Sequence, residues 1–210
     1  MVETPEGGSA RFQPQPAALD GDMLSCWFCA RPVSPRAFFC HQCGSLQPPT
    51  GQDAFQRLGL PRRFDIEPGL LERQHAGFSR MLDPERFRNR GPKEKQLLER
   101  HRTELAGAHA VLRDPASRAR HLLELEGRTP AVLPSAEPDP LWVELEGAAD
   151  TASLDRAATA VGRETESTVQ ALSAAFRSGQ LDRAAQLTLR LERLGHLADL
   201  ARRRRASLEQ

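Results

Sequence analysis

Residues 92–113 read PKEKQLLERHRTELAGAHAVLR and carry a regular helical pattern. Within this stretch, side chains suited to a core recur at steps of three and four, at Leu97, His101, Leu105, Ala108 and Leu112. That spacing places them along one face of an α-helix and leaves the charged residues on the other faces. The pattern therefore predicts a long helix whose apolar stripe packs against a core.

Two more helices are predicted on the N-terminal side of this stretch. Residues 68–82 carry apolar side chains with helical spacing, at Leu70, Leu71, Phe78 and Met81. Before them, Asp53 is suited to cap a short helix that Gly59 and Pro61 would end. No alternating β-branched run follows Asp53, so the predicted fold class is all-α.

The C-terminal side is predicted to be helical as well. Asp114 and Pro115 form a cap and a first-turn proline, which open a helix that ends at Gly127. Four prolines within residues 128–140 predict a linker. Three further helical stretches follow, at about 141–149, 152–177 and 180–205. We expect them to form an antiparallel three-helix bundle.

All four cysteines of the chain lie near its N-terminal end in two Cys-x2-Cys pairs, Cys26 with Cys29 and Cys40 with Cys43. Each pair can present two thiolates from one tight turn, and two such turns complete a closed tetrahedral shell for a structural Zn²⁺ ion. Two disulfides, a redox-active dithiol and an iron–sulfur cluster are the alternatives. His41 lies between two ligands and is interpreted as a bystander. Clustered cysteines of this kind favour a reducing compartment, and the cytoplasm is the default.

The composition divides the chain into five parts. Residues 1–22 are rich in Gly, Pro and Gln and are predicted to be a disordered tail. The other four parts are a tetracysteine zinc module with its connector at 23–50, a helical domain at 51–127, the linker at 128–140 and the bundle at 141–210.

The charge balance, the lengths of the apolar runs and the absence of catalytic motifs argue against several function classes. The 29 Lys and Arg residues nearly match the 28 Asp and Glu residues, so no global field attracts nucleic acid or an anionic membrane. No apolar run reaches the roughly 18–20 residues that a transmembrane helix needs. The sequence also lacks a phosphate-binding loop, a nucleophile elbow and a metallopeptidase helix, so we do not expect an enzyme.

Several short motifs are typical of one family. The helical region reads FQRLGLP at 55–61, FDI at 64–66, and DP at 114–115 followed by RARHLL at 118–123. The cysteine segment reads CWFC at 26–29, FCHQC at 39–43 and LQPP at 46–49. By these motifs the chain resembles the HscB family, J-domain co-chaperones of iron–sulfur cluster assembly, over about residues 24–205. The cysteine segment is similar to the N-terminal extension of the metazoan-type members.

The resemblance implies two partners and no catalysis. In that family a J domain stimulates ATP hydrolysis by a DnaK/HscA-type chaperone, and the C-terminal bundle binds the IscU-type scaffold. Residues 51–127 then correspond to the J domain. Self-association stays open.

The resemblance places a chaperone site on Arg73, Arg80 and the loop Asp83-Pro84-Glu85. The family has His-Pro-Asp where this chain has Asp-Pro-Glu, so ATPase stimulation is open. Without the family, the same three residues predict a helix start with a capping acid and a first-turn proline. Arg73 and Arg80 fit equally well on a solvated helix face.

The resemblance also places a scaffold-binding site on Leu141, Trp142, Leu145 and Glu146. An exposed Trp142 would be a natural binding anchor, whereas the alternative is that the apolar residues are all core. Two other positions of the family pattern depart, at Ala149 and Arg193.

Two alternative functions remain at this point. One is a J-like adaptor that binds a partner without stimulating ATPase activity. The other is a zinc-ribbon regulator that binds nucleic acid. Arg202–Arg205 form the only strong charge run of the sequence, and such a run at a helix C-terminus most often marks a solvated helix end. Because the zinc module is predicted to be separate, removing the metal is expected to unfold residues 24–46 and leave the helices standing.

Overall fold

The computed structural model of the chain describes residues 23–130 and 138–208. The predicted tail at 1–22 and most of the predicted linker lie outside these residues. Within the described part, two very short strands precede seven α-helices. They are β1 (Leu24–Ser25), β2 (Pro32–Val33), α1 (Ala54–Arg57), α2 (Pro68–Met81), α3 (Pro92–Arg113), α4 (Pro115–Leu125), α5 (Pro140–Gly147), α6 (Thr151–Arg177) and α7 (Leu181–Leu208).

This helical content confirms the predicted all-α class, and the caps explain where several helices begin. The Asp53 carboxylate accepts hydrogen bonds from the backbone N–H groups of Phe55 and Gln56 at the start of α1. Asp114 accepts from Ser117 at the start of α4, with Pro115 in the first helical position. Each acid satisfies a backbone donor that has no partner within its helix.

The chain forms two compact units. The first contains the described residues from Met23 to Arg62 together with Ile66–Leu112, and so combines the cysteine segment with α1, α2 and most of α3. Its core includes the predicted stripe of α3, in which Leu97, His101, Leu105, Ala108 and Leu112 are all buried. Leu46, which follows the cysteines, is fully buried as well.

The second unit contains Arg63–Asp65 and the described residues from Arg113 onward. Its helices α5, α6 and α7 share a core that includes Leu145, Leu154, Val161 and Leu194. Helix α4 also belongs to this unit. The Phe64 ring stacks on the Phe176 ring at 5.3 Å between centroids, and the Arg118 guanidinium lies 4.9 Å from the Phe64 centroid.

The five-part division predicted from composition stays a prediction.

Among the helices of the described residues, none combines the length and hydrophobicity needed to cross a bilayer.

Candidate metal centre and partner surfaces

The four cysteines lie on two similar backbone turns. In the first, the Ala30 N–H donates to the Cys26 carbonyl at 2.9 Å, and in the second the Gly44 N–H donates to the Cys40 carbonyl at 2.8 Å. The residue after each pair has a positive φ, 58° at Ala30 and 69° at Gly44. This left-handed conformation closes each turn so that both of its thiols face the same point.

The sulfur geometry fits a single tetrahedral ion. The Sγ atoms of Cys26 and Cys43 are 3.7 Å apart, as are those of Cys29 and Cys40, and all four sulfurs lie within 4.8 Å of one another. A tetrahedron with zinc–sulfur bonds of about 2.3 Å has edges of about 3.8 Å. A disulfide would need about 2.05 Å, so the cysteines are free thiols placed to bind a metal ion. Exposed His41 is not in the ligand group.

The surroundings of the sulfurs shift the pKa values of Cys26 and Cys29 in opposite directions. Burial opposes ionisation of Cys26, but hydrogen bonds from Ser45 and from the backbone of Cys29 and Phe28 outweigh it and lower the Cys26 pKa to about 5. For Cys29 a backbone hydrogen bond from Arg31 favours the thiolate, yet burial and the neighbouring sulfurs raise its pKa to about 12. Four thiolates this close repel one another, so a bound cation is what would stabilise all of them together.

Two buried polar residues, Ser45 and Gln47, contact the sulfurs, and the sequence patterns gave neither of them a role at the cysteines. The Ser45 hydroxyl lies 3.1 Å from the Cys43 sulfur and 3.4 Å from the Cys26 sulfur. The Gln47 amide nitrogen lies 3.3 Å from the Cys26 sulfur and also donates to Ser45. Such contacts orient metal ligands and tune their charge. The positions of Ser45 and Gln47, two and four residues after Cys43, are the sequence signal that marks them as candidate supporting residues.

A buried polar chain continues from this centre to α3. The Gln47 carbonyl oxygen lies 2.7 Å from Nε2 of His101, and Nδ1 of His101 lies 3.3 Å from the Arg57 guanidinium. Arg57 is itself buried and pairs with Glu104. A second link comes from the Leu46 N–H, which donates to Glu94 at 3.2 Å.

Aromatic residues of the cysteine segment pack onto the helices of the same unit. The Phe38 ring stacks on Phe78 at 5.3 Å, and Phe39 lies 6.3 Å from Phe87. Trp27 donates from its indole nitrogen to the Leu46 carbonyl at 2.7 Å. The cysteine segment thus shares its packing surface with α2, α3 and the turn that carries Phe87, and whether it unfolds separately stays a prediction.

The residues of the predicted chaperone site are exposed. Arg73 on α2 lies 3.6 Å from Glu67, and Arg80 lies near the end of the same helix. Asp83 caps a 3₁₀ helix, Pro84–Phe87, by accepting from the Glu85 N–H at 3.0 Å. The helix-start interpretation therefore describes the local structure, while chaperone contact stays a prediction.

The residues of the predicted scaffold site divide between surface and core. Trp142 is 45% exposed and its neighbour Val143 is 49% exposed, whereas Leu145 is completely buried in the core of the second unit. Leu141 is half-buried against that core. Glu146 pairs with Arg204 of α7 at 2.9 Å. The helix thus presents Trp142 and Val143 and uses Leu145 to hold itself in place.

The arginine run at the end of α7 is largely engaged in local contacts. Arg204 donates to the carbonyl oxygens of Glu146 and Ala148 at the end of α5. Arg205 pairs with Asp155 at 2.9 Å, and Arg202 pairs with Asp199. These pairs reduce the charge that the run can offer to a phosphate backbone.

Comparisons of the sequence show similarity to named co-chaperones. The chain is 34% identical over 106 residues to the human iron–sulfur cluster co-chaperone protein HscB. This alignment covers 49% of this chain and 45% of the human protein. The identity to the Arabidopsis thaliana HscB homologue is 30% over 103 residues, which is 40% of that protein, so both alignments span less than half of the relative. With the Mus musculus protein of the same name, the identity is 25% over 187 residues, 83% of this chain and 80% of that protein. No family model matches the chain.

Comparison of the fold gives a consistent result. The crystal structure of human co-chaperone protein HscB superposes with a TM-score of 0.77 at 24% identity, and covers 88% of this chain and 100% of that structure. The chaperone HscB from Vibrio cholerae superposes with a TM-score of 0.63 at 22% identity. At these identities the superpositions establish the fold.

Proposed function

We propose that this chain, which belongs to the HscB family, acts as a non-catalytic co-chaperone of iron–sulfur cluster assembly. It binds an IscU-type scaffold through its C-terminal bundle and presents it to a DnaK/HscA-type chaperone. The observation that carries this proposal is the agreement between sequence and fold. The similarity to the mouse co-chaperone extends over 83% of the chain, and the same architecture superposes on the human structure.

The proposed chaperone-binding surface combines the basic side of α2 with the Asp83-Pro84-Glu85 turn. Arg73, Arg80 and the three turn residues are all exposed, so each is accessible to a partner. Arginine on a rigid helix is suited to an acidic partner surface. Phe87, at the end of the 3₁₀ helix that follows Asp83, is buried and packs near Phe39, and this contact anchors the turn to the first unit.

The proposed scaffold-binding surface is centred on Trp142. A tryptophan that is 45% exposed beside an exposed valine is an unusual use of apolar area, and tryptophan is enriched among residues that dominate binding energies. Leu145 positions α5 by its burial, and Arg204 holds the end of that helix through Glu146 and Ala148. Leu141 contributes the edge of the surface.

The metal in this proposal is a structural zinc ion on Cys26, Cys29, Cys40 and Cys43. Four thiolates leave no open coordination position, so the ion would supply folding free energy and no catalysis. Free thiols in this geometry suit a reducing compartment, which supports a cytoplasmic location.

The chaperone part of the proposal is tested by a steady-state ATPase assay with the cognate DnaK-type chaperone, with and without the scaffold. We expect the chain to stimulate hydrolysis, and Arg80→Ala to weaken the stimulation. Arg183→Ala, an exposed arginine of α7, is the matched control. Absence of stimulation at saturating protein would overturn this part and favour the adaptor that only binds its partner.

The scaffold part is tested by calorimetric titration of the scaffold protein. Trp142→Ala is expected to weaken binding by about 2 kcal/mol, close to thirtyfold, as removal of a binding anchor does. Phe28→Ala is the control, because Phe28 is 68% exposed on the cysteine segment and tests exposed aromatic area as such. Equal affinities of wild type and Trp142→Ala would show that the scaffold does not use this surface.

A zinc-ribbon regulator that binds nucleic acid is the second candidate, and Arg202–Arg205 are the strongest charge run that it could use. Since Arg202, Arg204 and Arg205 each pair with a carboxylate, the run offers little unpaired charge. Salt-dependent binding of the chain to duplex DNA or RNA would favour this candidate.

A further inference from the structure

A second group of metal-binding side chains lies on the first unit, away from the cysteines in sequence. Glu72 and His75 are three positions apart on α2, and therefore project from the same side of that helix. His109 projects from α3. One ligand atom from each of the three lies within 4.8 Å of the other two.

The contacts within this group are close. Nε2 of His109 lies 3.0 Å from Oε1 of Glu72. The imidazole rings of His75 and His109 stack with centroids 4.1 Å apart and planes inclined by 15°. Because the nitrogen lone pairs lie in the ring planes, two nearly parallel rings do not point at one ion, so one imidazole has to turn about its Cβ–Cγ bond before both can bind the same ion.

The separations suit one ion shared by three ligands. Two ligands bound at about 2.0–2.2 Å from a common ion lie about 3.0–3.5 Å apart. The pair His109 and Glu72 already meets this distance. The remaining ligand is His75, which is only half-buried, and a turn of its ring is the movement that completes the set.

The chemistry of the ligands selects the ion. Two imidazoles and one carboxylate suit divalent transition ions such as Zn²⁺, Ni²⁺ and Cu²⁺, while calcium and magnesium prefer oxygen ligands alone. Coordination by Nε2 of His109 requires the tautomer with its proton on Nδ1. Water would fill the remaining positions, because Glu72 is open to solvent.

We propose that Glu72, His75 and His109 form a second divalent-metal site, distinct from the four cysteines, that takes a zinc-class ion and fastens α2 to α3. The ligands are separated along the chain by up to 37 positions, so a shared ion would cross-link two helices that are otherwise joined only through the backbone between them. The site does not depend on the proposed co-chaperone function. It does lie on the helix that carries Arg73 and Arg80, and an ion there would fix the position of that helix.

Metal titration of the full chain tests the site. The cysteine centre is first filled with one equivalent of Zn²⁺, and the protein is then titrated calorimetrically with more Zn²⁺. A second binding event is expected in the wild type. His75→Ala and His109→Ala are each expected to weaken this second binding event at least about tenfold. Loss of a residue that only supports a metal ligand already costs about tenfold, and these variants remove a ligand itself.

Cobalt spectra separate the two sites independently. Co²⁺ bound to thiolates gives an intense sulfur-to-metal charge-transfer band, whereas Co²⁺ on imidazole and carboxylate ligands gives only weak ligand-field bands. The second equivalent of Co²⁺ is therefore expected to add ligand-field absorption alone in the wild type, and nothing in His109→Ala.

His196→Ala is the matched control, because His196 is an exposed histidine of α7 outside the group. The control is expected to retain the second event in full. The proposal is overturned if the wild type binds one ion only, if both ligand variants keep the second event, or if His196→Ala weakens it as much as they do.

Discussion

Nε2 of His101 donates a 2.7 Å hydrogen bond to the backbone carbonyl of Gln47. Because a carbonyl oxygen can only accept, the ring proton lies on Nε2, and Nδ1 is left to accept from Arg57 at 3.3 Å. His101 is therefore a neutral imidazole that connects the residues after the cysteines to α1 and α3. Gln47 also contacts the Cys26 sulfur, so the metal centre and the helices share one set of buried polar contacts.

Metal removal is expected to destabilise more than the cysteine segment. The Phe38, Leu46 and Gln47 contacts join that segment to α2 and α3, so chelation should also lower the amide protection of α3. When the free metal concentration before chelation is a thousand times the Kd, the free energy of unfolding should fall by about 4 kcal/mol or more on chelation. Hydrogen exchange followed by mass spectrometry, with and without a zinc chelator, measures it.

His41→Ala is the control for this experiment, since His41 is exposed and outside the ligand group. It should leave metal binding and protection unchanged. Full protection of α3 after chelation, with exchange confined to residues 24–46, would support the separate module that the sequence predicted and contradict coupling.

The stability of the first unit should fall as the pH decreases through the range of His101. Burial lowers the pKa of His101 below its usual 6.5, helped by the charges of Arg57 and Arg100 and opposed by the bond to Gln47. The unfolded chain therefore takes up a proton near pH 6.5 while the folded chain resists, so the stability present above that pH is lost below it. The slope from this group is at most about 1.4 kcal/mol per pH unit.

His101→Gln isolates this effect, because a glutamine amide can donate to Gln47 and accept from Arg57 without titrating. Urea unfolding at pH 7.5 and pH 5.5 gives the comparison. The variant should lose less stability than the wild type between the two values. An identical loss in both proteins would assign the pH dependence to other groups.

Gln47→Leu is expected to weaken zinc binding by about 10–100-fold, as loss of a contact to a metal ligand does. The Gln47 amide nitrogen lies 3.3 Å from the Cys26 sulfur and 2.9 Å from the Ser45 hydroxyl, so leucine removes both contacts. Competition with a chromophoric chelator measures the affinity. Gln42→Leu is the matched change at an exposed position between two ligands and should leave the affinity unaltered.

Arg204→Ala is expected to destabilise the second unit by about 1.5–3 kcal/mol, the range for hydrogen bonds that involve a charged group. Its guanidinium donates to the Glu146 carbonyl at 2.8 Å and to the Ala148 carbonyl at 2.9 Å, which are acceptors at the end of α5. Arg203→Ala removes an exposed arginine of the same run and should change stability by less than about 0.5 kcal/mol. Equal effects in thermal unfolding would mean that only net charge matters.

The helices themselves were predictable because their signals are local. The α3 stripe was predicted over residues 92–113 and is observed over Pro92–Arg113 with all five stripe residues buried. Asp53 and Asp114 were predicted as caps and do accept hydrogen bonds at helix starts. The two Cys-x2-Cys pairs likewise predicted their own turns, because each turn closes within five residues.

The supporting contacts of the metal centre were not predictable from the same signals. Ser45 and Gln47 carry no periodicity, and Gln47 reaches His101 across 54 positions of sequence. His101 itself was placed correctly on the buried face of α3, but its spacing could not show which groups would satisfy its two nitrogens. Phe38 could be assigned to the cysteine segment, yet not to a stack on Phe78.

The order of amino acids alone therefore determined the helices, their caps and the two turns that place four cysteines to bind a metal ion, since each depends on neighbours within one or two turns of backbone. Tertiary structure decided which surfaces those elements share. It buried Leu145 while leaving Trp142 exposed on the same short helix, paired Arg204 with the end of α5, and joined the cysteine segment to α3 through Gln47 and His101. These outcomes depend on which residues, distant in the sequence, pack together and exclude water. Local periodicity and short motifs do not show that packing.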